Sequence, residues 1–416
     1  MIHGFDQTVQ REGTASLKYD ARLATFGRDD VTPMWVADMD FSVAEPIAKA
    51  LQARALHPVF GYSLAPESLY QSLMDWLLAK HGWQIKREWI VLTSGVVPSL
   101  NAVVAALTAE NDGVIVQPPV YFPFFSAVGN QNRRLIQNPL LLDDDDVANL
   151  QYKMNLSELT ACATEASMLM LCSPHNPVGR VWKKDELDSV LDIANKHNLI
   201  VLADEIHADL VYTNAQHHML GRLACDSAKS MAAFEEDCRV ITAVSPSKTF
   251  NIPGLGLSAL IVPNKAHRLA IESYLNKLGV SVTNPFNMAA FETAYREGGD
   301  WLDGLMAYLQ TTRDEAVAYI QSGMPEISVL PPESTYLLWL DCRKLRLDDT
   351  ALRRFFIEEA GLGLSPGSLF GSAGEGFMRM NIGMPRADVM AALERLKSAL
   401  QQRPLRQAPL TTATGI

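Results

Sequence analysis

The stretch Ala243-Val-Ser-Pro-Ser-Lys-Thr-Phe-Asn-Ile-Pro-Gly254 decides how the rest of the chain is read. The apolar run Val240-Ile-Thr-Ala-Val244 leads into it and predicts a buried strand. Ser245 and Ser247 bracket a proline, Lys248 follows where strand gives way to turn, and Pro253-Gly254 punctuates the chain again. A lysine at the mouth of a buried strand is poorly solvated, and desolvation lowers its pKa. A neutral amine there can attack a carbonyl and form a Schiff base. The small hydroxyls beside it suit a phosphate. Taken alone, the same residues also describe a surface lysine at a strand end. The reading therefore depends on whether partners for such an amine occur elsewhere.

Working outward, apolar runs predict further strands at Ile90–Leu92, Gly113–Val116, Arg134–Ile136, Ser167–Leu171, Leu199–Ala203 and Leu257–Val262. Helical patterns separate several of them, at Val96–Thr108, Tyr121–Val128 and Asp185–His197, and two more precede them at Glu45–Leu56 and Glu67–His81. Strands alternating with helices define an α/β fold with a mostly parallel sheet covered on both faces. Ligands of such sheets sit beyond the carboxyl ends of the strands. Gly95, Asn176, Asp204 and Lys248 all fall there. After about Pro285 the pattern shifts to long helices (287–295, 301–322) and shorter strands (328–330, 336–340). The expected organisation is an N-terminal arm (1–44) that joins a smaller α+β domain, a large domain (45–286), and a C-terminal small domain (287–402). The tail (403–416), rich in Pro, Thr and Ala, is expected to be disordered.

Composition narrows the function. The 416 residues are 48% hydrophobic and 20% charged, as in a soluble globular protein with a sizeable core. A formal net charge of -11 argues against nucleic acid or an anionic membrane as the main partner. No apolar run approaches the length of a membrane span. The five cysteines lack C-x-x-C pairing and read as reduced thiols of a cytoplasmic protein, and the first residues carry no secretory pattern. His207, His217 and His218 lack a ligand spacing with Asp204, so no metal is expected. The acidic run 143–146 reads as a solvated loop.

Further elements carry chemistry. Asp204 ends an apolar run and must face a cation, either a protonated pyridine nitrogen or a protein arginine. His207, three residues on, lies where a helical turn would bring it near; a packed histidine fits equally. Asn176 sits in the rigid turn Cys172-Ser-Pro-His-Asn-Pro-Val-Gly179, where its amide can donate to a phenolate or simply form the turn. Thr93-Ser-Gly-Val96 opens a helix whose first amides can hold a phosphate or need only an N-cap. Tyr121, after Pro118-Pro-Val120, can stack on a flat ring or pack in the core. Arg379, in the strand-like Phe377-Met-Arg-Met-Asn381, needs a carboxylate, from a substrate or from the protein. Pro33-Met-Trp-Val-Ala-Asp-Met-Asp-Phe41, apolar but broken by two aspartates, is expected near a site or an interface.

An amine nucleophile, an acid for a pyridine nitrogen, a phosphate cup, a stacking ring, an oxygen donor and a carboxylate clamp form the set that a pyridoxal-phosphate enzyme needs. The sequence resembles the fold type I pyridoxal-phosphate enzymes. More narrowly, it is similar to the MalY/PatB type of cystathionine β-lyase, over roughly residues 1 to 400. The motifs that carry this are Met34–Phe41, Gly61-Tyr62, Thr93–Pro98, Pro118–Tyr121, Ser173–Arg180, Asp204–Asp209, Ser245–Gly254 and Phe377–Asn381. The resemblance implies pyridoxal 5′-phosphate as cofactor, bound covalently to Lys248, with Asp204 on the pyridine nitrogen. It places Asn176 and His207 at the phenolic oxygen and Tyr121 against the ring, with Lys248, Asp204 and Tyr121 catalytic. Gly95, Val96, Ser245 and Ser247 would hold the phosphate, joined by Tyr62 from a neighbouring subunit, which implies a homodimer with shared active sites. Arg379, with Asn176 and Ala37, would bind an amino-acid substrate.

One departure is informative. The related aminotransferases carry a phosphate-binding arginine eight residues after the lysine, where this chain has Gly256. The expected reaction is accordingly α,β-elimination of L-cystathionine or a related S-substituted cysteine to a thiol, pyruvate and ammonia. The competing readings are transamination, and a regulatory role through binding a transcription factor.

Overall fold

The apolar runs become strands in register. The computed structural model describes residues 4–143 and 151–403. Its main sheet comprises β1 (Ile90–Thr93), β2 (Gly113–Val116), β3 (Arg134–Gln137), β4 (Met168–Cys172), β5 (Ile200–Asp204), β6 (Val240–Val244) and β7 (Ser258–Ile261), in the spatial order β1-β7-β6-β5-β4-β2-β3. All neighbours are parallel except β7, which runs antiparallel to both β1 and β6. The central strands β4, β5, β6 and β7 are buried along their whole length. Strand β3, largely exposed and carrying Arg134 and Gln137, closes one edge with polar side chains.

Side chains alternate between the two layers that cover the sheet. Met168, Met170 and Cys172 face one apolar cluster together with Ile200, Leu202, Ile241 and Ala243; Leu169, Leu171, Val201 and Ala203 face the other. The first cluster includes the helix Val96–Leu107. By the same alternation Asp204 shares the face of Cys172 and Leu202, so this carboxylate emerges beneath the start of that helix.

A second sheet comprises β8 (Ser328–Val329), β9 (Leu337–Asp341), β10 (Ser365–Pro366) and β11 (Phe377–Asn381), in the antiparallel order β8-β9-β11-β10. Trp339 and Ser365 flank Arg379 on the neighbouring strands. The long helices Gly299–Gly323 and Arg386–Gln402 pack together. The start of the chain joins this half: Thr32–Pro33 pairs in parallel with Leu362–Gly363.

Several expectations needed adjustment. The helix expected at Tyr121–Val128 begins at Pro123, because proline is suited to the first helical turn and Tyr121 is left in the preceding loop. The arm contains two short helices, Leu17–Asp20 and Arg22–Phe26. Charge anchors this arm. The fully buried Lys18 lies 2.8 Å from Asp40, and Arg11 reaches Asp38 at 2.7 Å and Asp40 at 2.6 Å. These cations are the partners that the two aspartates of the 33–41 segment require. Residues 404–416, expected to be disordered, and 144–146 of the acidic run lie outside the described residues.

Candidate active site

A cavity of about 280 Å³ opens at the carboxyl ends of β4, β5 and β6, and Lys248, Asp204, Asn176, His207, Tyr121 and Ala37 all line it. Lys248 lies in the single helical turn Pro246–Thr249 directly after β6. Ser245 caps that turn: its oxygen accepts from Ser247 N at 3.2 Å, and its hydrogen goes to Leu257 O at 2.8 Å. Lys248 Nζ donates to the carbonyl of Ala37 at 2.5 Å. Burial pushes Lys248 down to about 8; the Arg379 charge adds to this, against the pull of Asp38 and Asp204. An amine in that range is available as a nucleophile or base near neutrality.

Asp204 stands beside Cys172 in the β4–β5 register. Its carboxylate accepts one hydrogen bond within the protein, from Ile206 N at 3.2 Å. Burial pushes it up to about 7, helped by Glu205 and opposed by the Ile206 amide and Lys248. A carboxylate with one donor and a costly charge is suited to a cationic N–H arriving from the cavity.

The anion end of the cavity is built from small residues. Gly95 has φ 146 and ψ 161, a backbone conformation open to glycine. It presents the start of the helix Val96–Leu107 to the cavity, alongside Ser94 and Ser247. Ser245 is committed to the turn, which leaves Ser247 and Ser94, the latter within the quoted Thr93–Val96 motif but not named singly, as the lining hydroxyls. Lys248 is the one lysine or arginine among the described lining residues. At Gly256, φ is +44 and a Cβ would meet Ser94 O at 3.1 Å, so an arginine there would be both strained and crowded.

Behind the cavity wall at Asn176, Arg379 donates to Asn176 Oδ1 at 3.1 Å and to Trp35 O at 2.9 Å, and it approaches Ser365 Oγ at 3.4 Å. None of these partners is a carboxylate, and the buried Nε has no hydrogen-bond partner. Burial pushes Arg379 down to about 10. Among the described residues the internal ion pair weighed from the sequence is therefore not formed, and Arg379 is left without a carboxylate. Because Asn176 Oδ1 is taken by Arg379, its amide hydrogens remain for a ligand oxygen. Tyr121 is held by its backbone N–H to Asn176 O at 3.1 Å; burial raises its phenol.

His207 is buried on the cavity wall, in a turn that follows β5, not in a helix. Burial, then the charges of Lys248 and Arg379, push it down to about 3, which keeps the ring neutral. Its Nδ1 is buried without a hydrogen-bond partner. Tyr62 is not brought to this cavity: it is fully exposed, as are most of Leu56, Val59, Phe60 and Leu64 around it. Tyr336, read from the sequence as the start of a core strand, donates its hydroxyl to the same Ala37 carbonyl at 2.9 Å. A polar-tipped ring opening an otherwise apolar run was the available signal.

A half-buried lysine and a buried carboxylate after adjacent strands of a mostly parallel sheet, a glycine-opened helix start, and an arginine without a carboxylate on the second sheet define a pyridoxal-phosphate site. The residues fit that group: Asp204 can take the ring nitrogen, the Gly95–Val96 amides with Ser94 and Ser247 the phosphate, and Asn176 and His207 the phenolic oxygen. The chain belongs to the aminotransferase class I and II family, which it matches over residues 30–396. The cystathionine beta-lyase PatB of Bacillus subtilis (strain 168) is 36% identical over 400 residues, which cover 95% of this chain and 99% of that protein. The protein MalY of Escherichia coli (strain K12) is 31% identical over 402 residues, 95% of this chain and 98% of that one. Among solved structures, cystalysin from Treponema denticola, which contains a pyridoxal 5′-phosphate cofactor, has a TM-score of 0.90 at 34% identity, covering 96% of this chain and 99% of that one. These relatives bear out the MalY/PatB resemblance and the fold read from the motifs.

Proposed function

We propose that the protein is a pyridoxal-phosphate-dependent carbon–sulfur β-lyase, which cleaves L-cystathionine or a related S-substituted L-cysteine to a thiol, pyruvate and ammonia. The observation that carries this reading is a cavity that holds a lysine with a lowered pKa and a buried aspartate, walled by an asparagine that an arginine without a carboxylate holds from behind. The bound cofactor supplies a carbonyl that captures an amine and a ring that accepts electrons. Arg379, with Asn176 beside it, clamps the substrate α-carboxylate and so fixes the Cα–H bond. Lys248 Nζ takes that proton. Asp204 keeps a positive charge on the ring nitrogen, and Asn176 and neutral His207 address the phenolic oxygen. Tyr121 covers the ring. The Cβ–S bond then breaks, sulfur takes a proton, and the three-carbon remnant adds water to give pyruvate and ammonia.

Gly256 supports elimination over transamination, because the arginine that aminotransferases place there would be strained at φ +44 and its Cβ would crowd Ser94 O. The exposed apolar run from Leu56 to Leu64 supports a homodimer in which Tyr62 reaches the neighbour's phosphate cup. We read residues 1–44 and 287–402 as one small domain and 45–286 as the cofactor domain; the Thr32–Leu362 pairing supports this. Free cysteines support a cytoplasmic location, and among the described residues no helix is long and apolar enough to cross a membrane. Lys248→Ala tests the assignment: turnover should fall ~10²–10⁴-fold, the usual worth of a general base. Normal turnover by that variant would remove Lys248 from the mechanism.

A further inference from the structure

The six peptide carbonyls from Met34 to Met39 form a ribbon beside the cavity, and each accepts a hydrogen bond from a residue distant in sequence. Met34 O takes Asn381 N, Trp35 O takes Arg379 Nη2 and Ser365 Oγ, and Met39 O takes Asn251 Nδ2. Asn381 Nδ2 spans Val36 O at 2.6 Å and Asp38 O at 2.7 Å, while its own Oδ1 is fixed by Gly383 N at 2.7 Å. Between these two braced peptides lies Ala37 O, which accepts both Lys248 Nζ and Tyr336 Oη. A carbonyl oxygen has two lone pairs, and here both are used. Tyr336 is 1% exposed, so its hydroxyl is shielded from water and stays on that carbonyl.

This arrangement has a chemical consequence. Lysine ends in a flexible stem whose amine can turn in many directions. A neutral amine that gives one hydrogen to an immobile acceptor confines its lone pair to the two remaining tetrahedral positions. We propose that Tyr336 is a positioning residue for Lys248: by fixing the Ala37 carbonyl, within the brace of Asn381, it sets the direction in which the freed amine faces the cavity. The inference rests on Lys248 being the cofactor-bearing base, and it is independent of which substrate bond breaks. The same ribbon places the acceptor of Arg379, Trp35 O, two peptides from the acceptor of Lys248. Carboxylate clamp and base therefore share one rigid support.

Tyr336→Phe removes one oxygen and keeps the ring. The full chain is loaded with pyridoxal 5′-phosphate and then stripped of it. Its renewed uptake onto Lys248 is followed by absorbance across pH, beside kcat, KM and Tm. Uptake should slow by about tenfold, near the upper range for one net hydrogen bond, with kcat falling similarly and KM within about twofold. Asn381→Asp, which withdraws the amide hydrogens from Val36 O and Asp38 O, should slow uptake as well, and carries the test alone if Tyr336→Phe does not fold. A hydroxyl with a merely structural role would lower Tm and leave the uptake rate unmoved at every pH, and that result overturns the proposal. Slowed uptake in a protein that releases no thiol would sink the lyase reading and leave this inference standing. Unchanged uptake in an active lyase would do the reverse.

Discussion

Asp204 illustrates how the site trades stability for chemistry at the scale of one residue. Burial raises its pKa from 3.8 to about 7, so the folded, cofactor-free protein binds a proton there that the unfolded chain has released. Stability from this group is therefore greatest below 3.8 and falls as pH rises toward about 7. Asp204→Asn should stabilise the cofactor-free protein at pH 8 by roughly 1–3 kcal/mol, shrinking toward pH 4, while abolishing most activity. Denaturant melts of both proteins at the two pH values check this; equal melts at pH 8 would contradict it. Cofactor binding should reduce the difference, because the ring nitrogen supplies the missing cation. Lys248, Asp204, Asn176 and Arg379 could be singled out in the sequence because each lies within an apolar run or a few residues beyond one, where a polar group needs a purpose. Tyr336 and the ribbon carbonyls were not. Their contacts are to main-chain oxygens, and they link residues 211 and 299 positions apart.

At the scale of elements, the strand ends and helix starts do the placing. Gly95, with φ 146, lets the chain turn from β1 into the helix Val96–Leu107 with its first amides facing the cavity. Gly95→Ala forces a side chain into that conformation, at a cost of ~1–3 kcal/mol. The expected result is weaker cofactor retention with the rest of the fold intact, read as faster loss of bound-cofactor absorbance on dilution; unchanged retention would mean that the phosphate lies elsewhere. Strands with an unbroken apolar run were read within a residue or two, since full burial on both faces leaves little choice of side chain. Helix Lys265–Lys277 escaped the reading because its apolar residues form no clean buried stripe: Ile271 and Leu275 are buried while Leu269 is exposed. Helix Arg386–Gln402 does bury a stripe at Val389, Ala392, Leu393 and Leu396, a helical spacing that a periodicity scan can find.

At the scale of the whole molecule, the described residues that line the cavity include no arginine, so a phosphate held there would rest on backbone amides and hydroxyls beside Lys248. A neighbouring subunit is the proposed supplier of a further group, through Tyr62. Phe60 stacks on Phe286 at 5.7 Å within an exposed apolar surface. Phe60→Glu places a charge there and should shift the protein toward monomers in light scattering, with weaker cofactor retention. A variant that stays dimeric, or a parent protein that is already monomeric, would remove the shared site from the account. The sequence could hint at such a surface through Gly61-Tyr62, but the exposure of Leu56 to Leu64 needed the fold to reveal it.

The central claim is that this site breaks a carbon–sulfur bond. The direct measurement is to incubate the cofactor-loaded protein with L-cystathionine alone, with no keto acid added, and to follow pyruvate and free thiol together. Catalytic release of both in equal amounts is the predicted result. Turnover that begins only once a keto acid is supplied, without thiol release, would contradict it and would make the protein an aminotransferase.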